Sequence, residues 1–278
     1  NMYKGFYGLR EKPFSKTPDP RFLYLSGGHE EALARLQYAV EERELALLTG
    51  GIGSGKTTLY RALMDSMGEG YRFCFMFNPI LTPVEFLRIL AWNMGVDAPP
   101  AAKDDRLREL TGRMYRFHAD GIVPVVVVDE AQMIPGRDVF DEIRLLTNYQ
   151  LDDGNLLAVI LMGQPELRQK LAEPIYEPLC QRIGIHYHLG PLCLGETLEY
   201  LDFRLGVAGG APGLFSPDAV MKIHELTGGV PRRINSLATA ALLEGFARDV
   251  TLIEGDVIED LSEEMDVHGT GSEHDEPC

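Results

Sequence analysis

The segment "GGIGSGKT", residues 50–57, places four glycines ahead of a lysine and a threonine at the spacing G-x-x-x-x-G-K-T. Gly50, Gly53 and Gly55 permit backbone conformations that aim successive N–H groups to one side. The helix expected to follow adds its positive end, so the segment is built to cradle a polyphosphate. Lys56 would reach the terminal phosphates, and the Thr57 hydroxyl would ligate Mg2+. The candidate binding residues are therefore Gly50, Gly51, Ile52, Gly53, Ser54, Gly55, Lys56, Thr57 and Thr58. A second constellation closes the run "VVVVDE". Asp129 would hold the metal, directly or through water, while Glu130 would orient and deprotonate an attacking water. Binding alone needs only the first carboxylate, so the pair points to hydrolysis.

These residues need elements that bring them together. Short apolar runs at 45–49, 72–77, 125–129, 156–162 and 185–189 alternate with helical patterns, which predicts five parallel strands with helices on both faces. The phosphate-loop motif falls between the first run and a helix, the context it requires. After "GPL" at 190–192 the strand signal stops, and helical patterns near 195–206, 217–227 and 232–248 predict a small helical appendage. The opening "FYGLREKPFSKTPDPRFLYLS" has no clean period and reads as an extended segment laid over the body, leading into a helix with one apolar face. The organisation expected is an extended opening segment and first helix (1–43) that form part of the nucleotide-binding body, an α/β nucleotide-binding core (44–192), a helical lid (193–265) and an acidic tail (266–278) expected to be disordered.

Composition sets bounds. With 45% hydrophobic and 24% charged residues, the 278-residue chain can bury a sizeable core. No apolar stretch approaches the roughly 18–20 residues a membrane span needs, so the chain itself is not expected to insert in a membrane. With no charged leader ahead of an apolar segment, the expected location is cytoplasmic. The four cysteines are too scattered for a metal or redox site and are expected to be reduced. Of the sixteen excess negative charges, eleven lie from Asp249 onward with no Lys or Arg among them, so the body is nearly balanced. No basic stripe for nucleic acid is apparent. His186 and His188 alternate on a strand without a third ligand and read as strand histidines; Trp92 and Met94 read as packing residues.

The combination of motifs resembles the AAA+ ATPases, and within them the ExeA (general secretion pathway protein A) family. The opening "MYKGFYGLREKPFSKTPDPRFLYLSGGHEEALARL" resembles that family's N-terminus. Later stretches match too: "GQPEL" at 163–167, "QRIGIHYHLGPL" at 181–192 and "GGVPRRIN" at 228–235. The resemblance implies a P-loop AAA+ fold with a helical lid, and ATP with Mg2+ as the bound nucleotide. It also implies roles for residues that spacing does not single out. Gln164 would be the polar sensor near the terminal phosphate. Arg182 would be an arginine finger offered to a neighbouring subunit's nucleotide, and Arg232 a lid contact to bound nucleotide. A homo-oligomer follows from the finger.

In that family the ATPase core is associated with assembly of the type II secretion secretin, and a membrane span and a peptidoglycan-binding region follow it. Contacts with a secretion-system protein or peptidoglycan would then run through regions outside this chain, which would be either the cytoplasmic domain of an inner-membrane protein or a free-standing relative. The alternative reading is a nucleotide-gated DNA-binding adaptor of a transposition system. A small-molecule kinase is a third reading, poorer because it has no use for Glu130 beside the metal aspartate.

Overall fold

The runs 45–50, 123–128 and 158–163 are buried at almost every position, as strands covered on both faces must be. The structure, a computed structural model, describes residues 2–15, 19–96, 102–151 and 154–269. Along the chain run α1 (Met2–Phe6), α2 (Gly27–Glu41), β1 (Leu45–Gly50), α3 (Lys56–Met67), β2 (Tyr71–Met76), α4 (Pro83–Asn93), α5 (Lys103–Ala119) and β3 (Val123–Val128). There follow α6 (Asp138–Leu146), β4 (Ala158–Gly163), α7 (Pro165–Leu171), α8 (Glu177–Cys180), β5 (Ile183–Leu189), α9 (Leu194–Val207), α10 (Pro217–Thr227), α11 (Pro231–Ala247) and α12 (Gly255–Gly269). The chain divides into two compact units. One comprises Gly27–Ile52 and Lys56–Gly190; the other comprises Asn1–Ser26, Gly53–Gly55 and Pro191–Cys278.

The first unit is the expected α/β layer structure. Five of its strands form a parallel sheet in the order β2-β3-β4-β1-β5, beside a short antiparallel pair, Gln150–Leu151 with Gly154–Asn155. Successive side chains on a strand point to opposite faces, and the strands here divide accordingly. Leu45, Leu47, Val126, Val128, Val159 and Leu161 join the cluster that holds Phe86, Leu90, Leu110, Phe140 and Leu167. Ala46, Leu48, Val125, Val127, Ile160 and Met162 join Leu36, Val40, Leu59 and Leu63 of α2 and α3. Phe86 and Phe140 are almost fully buried, and truncating either to Ala costs about 3–5 kcal/mol. The outer strands β2 and β5 alternate between buried and more exposed positions, which is why "IHYHL" reads as polar every second residue. Helix α4 starts on a capping box in which Thr82 accepts from the Glu85 N–H and the Glu85 carboxylate accepts from the Thr82 N–H.

The second unit is helical. Leu201, Leu205, Ile223, Ile234, Leu242, Ile253 and Val257 form its core. The opening segment is part of that core. Tyr3, Tyr7, Leu9, Phe14 and Phe22 are buried there, and residues 2–6 are a helix rather than extended chain. Arg204 holds the segment in place: Nε donates to Pro13 O at 2.7 Å and Nη2 to Ser15 O at 3.3 Å, with the guanidinium over Phe22 and Tyr200. The acidic α12 is tied in by Lys222 to Glu259 and by Arg248 to Asp260. It runs to Gly269; the rest of the tail expected to be disordered lies outside the described residues. Cys74, Cys180 and Cys193 are free thiols as expected, and Cys278 lies outside the described residues. Met94 is buried as expected, but Trp92 is half exposed and carries Arg88 over its ring at 5.4 Å. That ring serves as a cation platform rather than core packing.

Candidate nucleotide site

Because all five strands are parallel, β1, β3 and β4 end on one edge of the sheet, and each end is followed by candidate site residues: Gly50, Asp129 and Gln164. Ligands bind at this carboxyl edge in open α/β sheets.

At the first end, β1 runs straight through Gly50 and α3 begins at Lys56. Between them Gly53 and Gly55 take φ of 78° and 104°, a region costly for any residue with a Cβ. Gly50, grouped with them from sequence, is an ordinary strand residue. Lys56 is buried, and its Nζ donates to Gly50 O at 2.8 Å and Gly51 O at 3.1 Å. The ammonium is thus held over the loop's own backbone. Ser54 is buried, whereas Ile52 and Thr57 are exposed and Thr58 is half-buried. Within the helical unit, Arg232 on the first turn of α11 donates its N–H to Gly53 O at 3.4 Å. The Cβ that glycine lacks at 53 would fall 2.5 Å from the Arg232 Cβ.

At the second end, Asp129 continues the ladder by donating its N–H to Met76 O at 2.9 Å. Its carboxylate is nearly buried and accepts the Glu130 N–H at 2.8 Å. Burial holds this carboxyl above the usual aspartate range, against the pull of the Glu130 N–H and of Lys56. A carboxylate desolvated in this way is suited to a divalent cation, whose charge offsets the cost of burial. The residues that could hold Mg2+ are Asp129 and Thr57, whose carboxylate and hydroxyl are hard oxygen donors of the kind that ion takes. Among the described residues no cluster of three or more His, Cys, Asp or Glu side chains could hold a metal by itself. His186 and His188 are strand residues, and His188 Nδ1 lies 3.0 Å from Thr49 Oγ1.

Glu130 adopts φ 50°, ψ 38°, left-handed backbone in a residue other than glycine, at a cost on the order of 1–3 kcal/mol. The bend takes it off the line of β3 into the short 3-10 turn Ala131–Met133. At the third end, Gln164 Nε2 donates to Glu130 Oε2 at 3.1 Å, so the structure joins these two candidates directly. Gln132, which the sequence reading did not single out, bonds both: its Nε2 donates to Glu130 Oε2 and its Oε1 accepts the Gln164 N–H at 3.1 Å. Its only sequence signal was its place two residues beyond Glu130. Arg182 lies between α8 and β5, exposed, with its N–H on Leu179 O at 2.9 Å.

A parallel sheet in this order, with a phosphate loop after β1, an Asp-Glu pair after β3 and a polar residue after β4, defines a P-loop AAA+ ATPase. Residues 39–171 match the AAA domain family. The chain is 41% identical over 264 residues to general secretion pathway protein A of Aeromonas hydrophila, covering 92% of this chain and 47% of that protein's length. It belongs to that AAA+ family and spans about half the length of this relative. Among solved structures, Cdc6p from Pyrobaculum aerophilum superposes with a TM-score of 0.68 at 17% identity over 91% of this chain and 70% of that one. The Aeropyrum pernix ORC2 protein, solved in ADPNP and ADP complexes, gives 0.66 at 18% over 91% and 71%. At such identities the likeness shows the fold, and the AAA fold implies nucleotide binding.

Proposed function

We propose that the chain binds Mg-ATP at the carboxyl ends of β1, β3 and β4 and hydrolyses it within an assembly of several copies. The observation that supports this reading best is the Gln164 Nε2 to Glu130 Oε2 hydrogen bond at 3.1 Å, which joins the candidate base after β3 to the candidate sensor after β4. Thr57 and Asp129 would hold Mg2+, which when bound would supply charge neutralisation at the terminal phosphates. Residues 50–58 wrap the phosphates, Lys56 neutralises their terminal oxygens, Glu130 takes a proton from the attacking water and Gln164 orients that water. Arg182, exposed at the end of α8, reaches the nucleotide of a neighbouring copy, and Arg232 beside Gly53 adds a further phosphate contact.

The work done by turnover is proposed to be assembly of a partner complex in secretion, the type II secretin. The support for this is the likeness to general secretion pathway protein A. No helix among the described residues is long and apolar enough to cross a membrane. We propose that peptidoglycan or secretion-system contacts use regions outside this chain, with the chain on the cytoplasmic side; the support is the likeness to general secretion pathway protein A, of whose length the chain covers 47%.

The test is ATPase rate against protein concentration, with and without peptidoglycan fragments and duplex DNA. Specific activity is expected to climb with concentration. Arg182→Ala should bind ATP yet lose about 10³-fold or more in rate, and mixing it with Glu130→Gln should restore part of the rate. Flat specific activity and no restoration would remove the shared site. Salt-sensitive stimulation by DNA alone would favour the transposition-adaptor reading.

A further inference from the structure

We propose that Gln132 is the positioning residue of the hydrolytic centre: it locks the Glu130 carboxylate in one orientation and ties it to the sensor Gln164. The inference rests on the reading of Glu130 as the general base. Three observations carry it.

The first is that the amide orientation is dictated by chemistry. The Gln164 backbone N–H can only donate, so Gln132 must turn its Oε1 toward it, at 3.1 Å. That leaves the Gln132 NH2 facing the Glu130 carboxylate, where it donates to Oε2. Gln164 Nε2 donates to the same oxygen at 3.1 Å. With Oε2 engaged by two amides, Oε1 is the oxygen proposed to take the water's proton.

The second is that the surroundings are shaped for this side chain. A Cβ at Gly163 would lie 2.6 Å from Gln132 Oε1 and 2.8 Å from Leu167 Cδ2. A side chain at 163 would press on both, so glycine there leaves the amide free to lie across the end of β4.

The third is that the turn carrying Gln132 is anchored from outside. Lys170 on α7 donates to Gln132 O at 3.3 Å and also to Ile134 O. The turn closes on itself through Met133 N–H to Glu130 O at 2.8 Å. A turn held this firmly fixes the left-handed Glu130, and a carboxylate held in one orientation needs no reorganisation at the moment of reaction.

The experiment compares Gln132→Ala, Gln132→Glu and Glu130→Gln with the parent, measuring kcat, KM and the dissociation constant of a fluorescent ATP analogue with Mg2+. Gln132→Ala is expected to lower kcat about 10-fold and Gln132→Glu about 100-fold, both with nucleotide affinity within about twofold of the parent. The order discriminates between roles. Gln132→Glu keeps the acceptor for the Gln164 N–H but sets a second carboxylate against Glu130, so a merely structural Gln132 would make it the milder variant. If Gln132→Glu misfolds by thermal melting, Gln132→Met, similar in volume and without an amide, carries the test through the same loss of kcat at unchanged affinity. Parental kcat in the Gln132 variants, or Gln132→Glu faster than Gln132→Ala, while Glu130→Gln is inactive, overturns the proposal alone. Parental turnover by Glu130→Gln overturns the reading beneath it.

Discussion

The phosphate loop and the turn after β3 both use left-handed backbone, yet they reach it in opposite ways. In the loop, Gly53 and Gly55 adopt positive φ without steric penalty, and the hydrogen bonds there fall on backbone oxygens: Lys56 Nζ on Gly50 O and Gly51 O, and the Arg232 N–H on Gly53 O. In the turn, Glu130 adopts it with a Cβ and is held by Gln132, Gln164 and Lys170 through α7. A site that reads phosphates can be built from local chain geometry. One that fixes a carboxylate's orientation draws on groups that follow separate strands and stores strain to do so.

The largest effect that would break this contrast is at Lys56. Replacing it by Ala should raise the dissociation constant of Mg-ATP about 100-fold, the loss of a charge-assisted contact in a buried position; titration calorimetry measures it. Unchanged affinity would mean that the glycine backbone alone carries binding.

Next in size are two stability changes of opposite sign. Gly55→Ala should lower stability by about 1 kcal/mol or more, because φ of 104° admits no Cβ cheaply. Glu130→Gly should raise it by about 1 kcal/mol while abolishing turnover. Urea unfolding of both variants decides the matter, and a destabilised Glu130→Gly would show that its side-chain bonds outweigh the strain.

The smallest effect is at Asp129. Burial raises its carboxyl above the ordinary range, so the folded state binds this proton more readily than the unfolded one. Its charge therefore opposes folding above the raised value, and the penalty fades as pH falls through that value to the ordinary aspartate range. Asp129→Asn should melt higher than the parent near neutral pH without Mg2+, with the gain shrinking toward pH 4. A gain that stays constant with pH would rule out desolvation as its cause.

Much of the fold was legible because its signals are local. The central strands are continuous apolar runs, the helical unit follows 3.6-residue periodicity, and the Gly-Lys-Thr segment falls between strand and helix. The opening segment was not legible. Tyr3, Tyr7, Phe14 and Phe22 have no period that names their partner, and burial among α9 to α11 with Arg204 on the Pro13 and Ser15 carbonyls decides where they lie. Trp92 misleads in the other direction: an aromatic in an apolar helix suggests core, yet it faces outward beneath Arg88.

By itself the sequence determined that a strand hands a glycine loop to a helix, that Lys56 heads that helix and that two acids end a buried strand. These depend on backbone sterics and on patterns within a few residues. Only the tertiary structure decided that Glu130, Gln132 and Gln164 share one carboxylate oxygen and that Gly163 makes room for the bridge. Those contacts join ends of strands over thirty positions apart in the chain, and their distances are set by the sheet and by α7 rather than by any local preference.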